Sequence, residues 1–241
     1  MTPTETPRAS RRLPRWSVFC LARFLLPLLS GAEPTAGPPE LAAALGRFRA
    51  DPPPGWSYTQ TTTAEGRSTV ERCDAAKPPW DRWSLLEKDG RPPTDAERQA
   101  YLEARSRRSR GGTAPKIAEQ LDLTSAECVA DDGVRATYQC RLKSLERGDR
   151  TAAFLRATVV VHRATGSIES IELNAPAPFS PTLGVKITAL RTRLTYSLPA
   201  GDTPSLLQRV ETSMRGTAFW VKSLDAEMSV VFAQQARATK R

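Results

Sequence analysis

The feature that most limits the fold is a succession of short segments whose apolar residues recur at every second position. Ala136, Tyr138, Cys140 and Leu142 alternate with Thr137, Gln139 and Arg141. Leu155, Ala157, Val159 and Val161 repeat the pattern, and Leu190, Leu194, Tyr196 and Leu198 are opposed by Arg191, Arg193, Thr195 and Ser197. Side chains of a strand point to alternate faces, so each segment reads as a strand with one buried face. Further strands are expected over 56–63, 67–73, 81–90, 165–173, 206–215, 217–222 and 226–232, divided by Glu65-Gly66, Lys77-Pro78-Pro79 and Asp131-Asp132-Gly133. Their spacing is too close for repeated crossover helices, which leaves an antiparallel meander of about eight to eleven strands. A sheet that large must hide an oily face. The expected fold is mainly β with α: a strongly curved antiparallel sheet, a half-barrel, clasping a few helices.

Two helices interrupt the pattern. Leu41, Leu45 and Phe48 lie at helical spacing between Pro38-Pro39 and the DPPPG stretch at 51–55. Thr94-Asp95-Ala96-Glu97 is a capping box that starts a helix over about 95–109, within a helical, Arg-rich insertion near 94–121. That helix ends in RSRRSRGG, where Arg105, Arg107, Arg108 and Arg110 crowd together. A solvated charged segment is the leading reading; a partner or an anionic membrane surface is the functional alternative, giving peripheral membrane contact. Nucleic acid is not expected, because the cluster has neither an aromatic platform nor a recognition helix beside it. The net charge of +9 does not change this. Thirty basic and twenty-five acidic residues beyond residue 32 leave only +5.

Four of the five basic residues missing from that remainder precede an apolar run, and the fifth, Arg23, lies inside it. Arg8, Arg11, Arg12 and Arg15 lead into WSVFCLARFLLPLL, then the small residues Ser30-Gly31-Ala32. This is the pattern of a secretory signal peptide over 1–32, followed by a single domain over 33–241 in the periplasm, exported and soluble. A buried amphipathic segment and a membrane-surface anchor are the alternatives. Export exposes Cys73, Cys128 and Cys140 to an oxidising compartment, where three thiols cannot all pair within one chain. Cys128 with Cys140 is the nearest candidate disulfide, Cys73 with either is the alternative, and unpaired buried thiols are the ordinary outcome.

Chemistry is sparse. The lone His162 has no readable triad, Glu169 and Glu172 fall on opposite strand faces, and neither a nucleophile elbow nor a Gly-rich phosphate loop occurs. The reading is therefore not an enzyme, with no metal and no cofactor. Around Gly216, a bend or bulge is expected, with Phe219 and Val221 inward and Trp220 and Lys222 outward. Trp220 then joins the Arg cluster as a partner surface.

The segments WSYTQTTTAEGRSTVERCD, RWSLLEKDGRPPT, APFSPTLGVKI and MRGTAFWVKSLDAEMSVVF resemble an uncharacterised family of exported proteobacterial proteins. That family is similar in fold to the outer-membrane lipoprotein carrier and receptor, the LolA/LolB-like half-barrel. The resemblance implies a curved sheet around helices with an apolar cavity able to receive acyl chains, and it supplies no catalytic residues to transfer. The function expected is non-catalytic binding of a lipid, acyl or other apolar ligand, with Tyr58, Trp83, Tyr196 and Phe219 as wall residues. The alternative is an envelope protein–protein interaction or assembly module that needs no cavity.

Overall fold

The computed structural model describes residues 37–50, 52–108, 117–144, 150–219 and 221–238. The expected signal peptide over 1–32 lies outside them, as do Arg110 and Trp220. Helix α1, Pro39–Arg47, begins with a proline where a helix needs no N–H, and Glu40 and Arg47 complement the two ends of its dipole. Strands β1 (Trp56–Ala64), β2 (Arg67–Cys73) and β3 (Trp83–Lys88) follow. After helix α2 (Asp95–Arg108) and the short α3 (Ile117–Gln120) come β4 (Leu121–Asp131) and β5 (Arg135–Leu142). A 3-10 turn at Thr151–Phe154 precedes β6 (Arg156–His162), β7 (Ser167–Asn174), β8 (Val185–Tyr196), β9 (Leu207–Ala218), β10 (Lys222–Ser223) and β11 (Ala226–Arg237).

All of these strands join one antiparallel sheet in the order β3-β2-β1-β11-β9-β8-β7-β6-β5-β4, with β10 paired to β9 beside the path. Two meanders are stitched together where the first strand meets the last. Thr61 lies opposite Val231 in that seam, and a bulge between Ser57 and Thr59 adjusts the register. At the β1–β2 hairpin, Glu65 and Gly66 take φ of 51° and 74°, the paired left-handed conformation that matches strand twist in a two-residue turn. Inside β9, Gly216 is required by proximity, because a Cβ there would stand 2.6 Å from the Lys186 carbonyl oxygen.

The antiparallel, mostly β architecture with a few helices is as expected, but the half-barrel is not. The sheet is open, with β3 and β4 as its two edges, and it is not strongly curved around its helices. The alternating pattern specifies that a face is hidden; it does not specify a radius. Two separate helices cover that face instead. Leu41, Ala44 and Leu45 of α1 pack on Tyr138, Cys140, Val159, Val161, Ile168, Ile171 and Tyr196, while α2 lies beside β3 at the other end. Between the two patches the same face carries Thr192 and Thr212, with hydroxyls 3.3 Å apart. Polar residues there tolerate water, so closure is not demanded.

The expected disulfide is also absent, since Cys73, Cys128 and Cys140 are all free thiols. Register explains why. Cys128 on β4 faces Tyr138, two positions from Cys140, and Cys140 faces Ala157 on its other side. Cys73 lies on β2, at the far end of the strand order.

Candidate functional site

The site is built around α2, a helix with little to hold it by ordinary packing. Of its described side chains none is fully buried, and its only large apolar residues are Tyr101 and Leu102. Polar contacts fix its ends. The Glu97 amide donates to the Thr94 hydroxyl at 3.3 Å while the Glu97 carboxylate accepts from the Thr94 amide at 2.9 Å, closing the capping box. The same carboxylate takes Arg91 Nη2 at 2.8 Å and Lys88 Nζ at 2.9 Å, tying the helix start to the end of β3. Hydrogen bonds from Arg91, then Thr94, then Lys88 hold the Glu97 carboxyl well below the usual carboxylate range. One turn from the far end, the Arg105 guanidinium stands 3.5 Å over the Trp83 ring.

Between these two attachments α2 bridges a cleft of about 670 Å³, within the size range of small-ligand sites. Ala96, Ala100 and Ala104 form its roof; Leu85, Met228 and Val230 form the apolar part of its floor. Alanine at three helical positions on one side keeps the space open, because larger side chains at those positions would fill it. The floor also carries Gln60 and Glu71. Glu71 is only 7% exposed, and its Oε2 accepts from Gln60 Nε2 at 3.1 Å. At the Trp83 end, Tyr58 meets Trp83 edge-on with centroids 5.7 Å apart and Phe232 at 5.6 Å. Cys73 belongs to this corner, its thiol pushed up by burial and partly relieved by a hydrogen bond with Tyr58.

Elsewhere the chemistry is structural. Glu40 on α1 accepts from the Tyr138 hydroxyl at 2.7 Å and from Arg163 Nη1 at 3.1 Å, and Arg163 also pairs with Asp131. Burial, then the Glu40 contact, push the Tyr138 hydroxyl up to about 12. His162 Nδ1 lies 3.1 Å from the Thr165 hydroxyl, with no group of metal-ligating side chains among the described residues. A second depression of about 520 Å³ is bordered by Arg191, Arg193, Glu211 and Glu227. Most of that charge is cancelled locally through Arg191–Glu172, Arg209–Glu211 and Arg215–Glu227 pairs, so it offers a ligand little net attraction. Among the described residues no helix is long and apolar enough to cross a membrane.

Of the four wall residues expected from the sequence, Tyr58 and Trp83 meet each other beside Arg105, but neither lines the cleft. Tyr196 lies instead beneath α1, edge-on to Phe48 at 5.0 Å. Phe219 is 68% exposed in the turn after β9, and Val221 beside it is 89% exposed, so both face solvent rather than the core. Arg105 stands at the cleft, and Arg107 and Arg108 belong to the last turn of α2. Glu71, Gln60, Lys88, Glu97 and Ala100 were not anticipated as cleft residues. One signal was present: in RSTVERC, Glu71 shares strand parity with Cys73, placing a carboxylate on the buried side. No family model, curated protein or solved structure matches the chain.

Proposed function

We propose that the protein is a non-catalytic, exported, soluble binding protein of the periplasm that holds a lipid or other apolar ligand in the cleft beneath α2. The observation that carries this reading is a cleft of about 670 Å³ roofed by alanines and floored by Leu85, Met228 and Val230, under a helix attached mainly through its ends. Apolar surface placed against that floor is removed from water, and each buried methylene contributes about 0.8 kcal/mol. A helix with no fully buried side chain among those described can shift to admit a ligand without breaking the core under α1. Native mass spectrometry of the gently purified full chain tests the reading. A retained lipid or fatty-acyl species is expected; its consistent absence from fresh preparations contradicts the proposal.

A second reading, an envelope interaction or assembly module, draws on a different place. Leu183 is 96% exposed and stands with Phe219 and Val221 on adjoining turns, where the Phe219 amide donates to the Gly184 carbonyl at 2.6 Å. Clustered exposed apolar side chains are a feature of interaction surfaces. In-cell crosslinking separates the two readings: one reproducible protein neighbour, lost when Leu183 and Phe219 are both changed to Ser, favours the module. Unchanged neighbours remove that surface from consideration.

A further inference from the structure

Of the two carboxylates in the cleft, Glu97 is ion-paired and Glu71 has no ion-pair partner among the described residues. The two cations of the wall are engaged elsewhere, Lys88 on Glu97 at 2.9 Å and Arg105 over Trp83 at 3.5 Å. Arg72, the next residue in the chain, is on the opposite face, where its Nη1 donates to Thr59 and Gln234. Gln60 divides its amide between Glu71 and the Thr62 hydroxyl, at 3.1 and 3.2 Å. A carboxylate has about four acceptor positions, and a single neutral donor leaves most of them to whatever enters the cleft.

We infer that the cleft selects amphiphiles with an ammonium-type cationic head, and that Glu71 is the residue that recognises it. The inference rests on the proposal that the cleft is a ligand site. An apolar ligand without a head would seal Glu71 from water with no compensating charge, and an anionic head would add repulsion in a partly desolvated space. An ammonium group supplies both the opposite charge and hydrogen-bond donors. The position suits such a ligand lengthwise: Leu85 is Glu71's cross-strand neighbour on the same face, so an alkyl chain leaving the head meets the apolar floor at once. Met228 and Val230 extend that floor.

The test is displacement of Nile red from the full chain by dodecylammonium, dodecanol and dodecanoate, which share one tail and differ in head charge. Dodecylammonium is expected to displace the dye at a concentration at least about tenfold below dodecanoate, with dodecanol between them. In Glu71→Gln, which keeps shape and hydrogen-bonding capacity, the cation's advantage over dodecanol is expected to disappear. Equal or better displacement by dodecanoate in the unaltered chain overturns the inference without needing the variant. A cation preference that survives Glu71→Gln in a folded protein overturns the role of Glu71. If Nile red does not bind saturably, the cleft reading fails and takes this inference with it. Dye binding without head-group preference overturns the inference alone.

Discussion

Burial of individual side chains separates three thiols that look alike in the sequence. Cys128 is exposed at the edge of the sheet, whereas Cys73 and Cys140 are buried, and burial pushes the Cys140 thiol up to about 11. Only the thiolate reacts readily, so a disulfide reagent at mildly alkaline pH should modify Cys128 within the native protein and reach Cys140 and Cys73 after denaturation. Peptide mapping of the modified cysteines checks the order; early modification of Cys140 would contradict this core. Ile171 gives a stability test of the same region. It is fully buried under α1, and truncation to Ala leaves both lost contacts and a cavity, an expected cost of about 2–5 kcal/mol in urea unfolding. A change near zero would mean that α1 does not rest on β7.

The elements divide into those whose identity the sequence shows and those whose relation it leaves open. The period-two strands, the α1 stripe of Leu41 and Leu45, and the Thr94–Glu97 capping box are all legible, because each depends on neighbours a few positions away. The seam between β1 and β11 is not, since it joins residues at opposite ends of the chain through a register that no local pattern states. Cleft residues were missed for the same reason: Glu71, Lys88 and Ala100 become neighbours only when α2 folds back beside β3. The sheet's openness was missed because alternation at Leu190 and Leu194 looks the same whether or not the neighbouring strands wrap around. The α2 attachment yields a pH prediction. Glu97 has a folded pKa held below its ordinary value of 4.5, so its contribution is present at neutral pH, begins to fall near that value and is lost as pH drops through the folded value. Hydrogen exchange within α2 should therefore rise on acidification below about pH 4 relative to the strands, and Glu97→Gln should already exchange faster at neutral pH. Equal protection of α2 in the variant would show that the helix is held by something other than this carboxylate.

At the largest scale, the described residues form an open sheet with two covered ends on one face, and the covers differ in kind. The α1 end is a packed core, with Leu41, Val159 and Ile171 excluded from water; the α2 end retains a cleft whose floor mixes Leu85 with Glu71. On the proposed reading, the α1 end is the stable support and the α2 end the place where a ligand would add surface burial that the chain alone does not supply. Filling the cleft from within tests this most directly. In Ala100→Trp, a large ring projects from the roof into space that the ligand is expected to occupy, while the α1 core is untouched. Nile red titration of the unaltered chain and of this variant, with thermal unfolding of both, is the decisive measurement. Saturable dye binding by the unaltered chain, abolished in the variant at little changed melting temperature, is the predicted result; absence of saturable binding, or undiminished binding by a folded Ala100→Trp protein, would contradict the cleft as the ligand site.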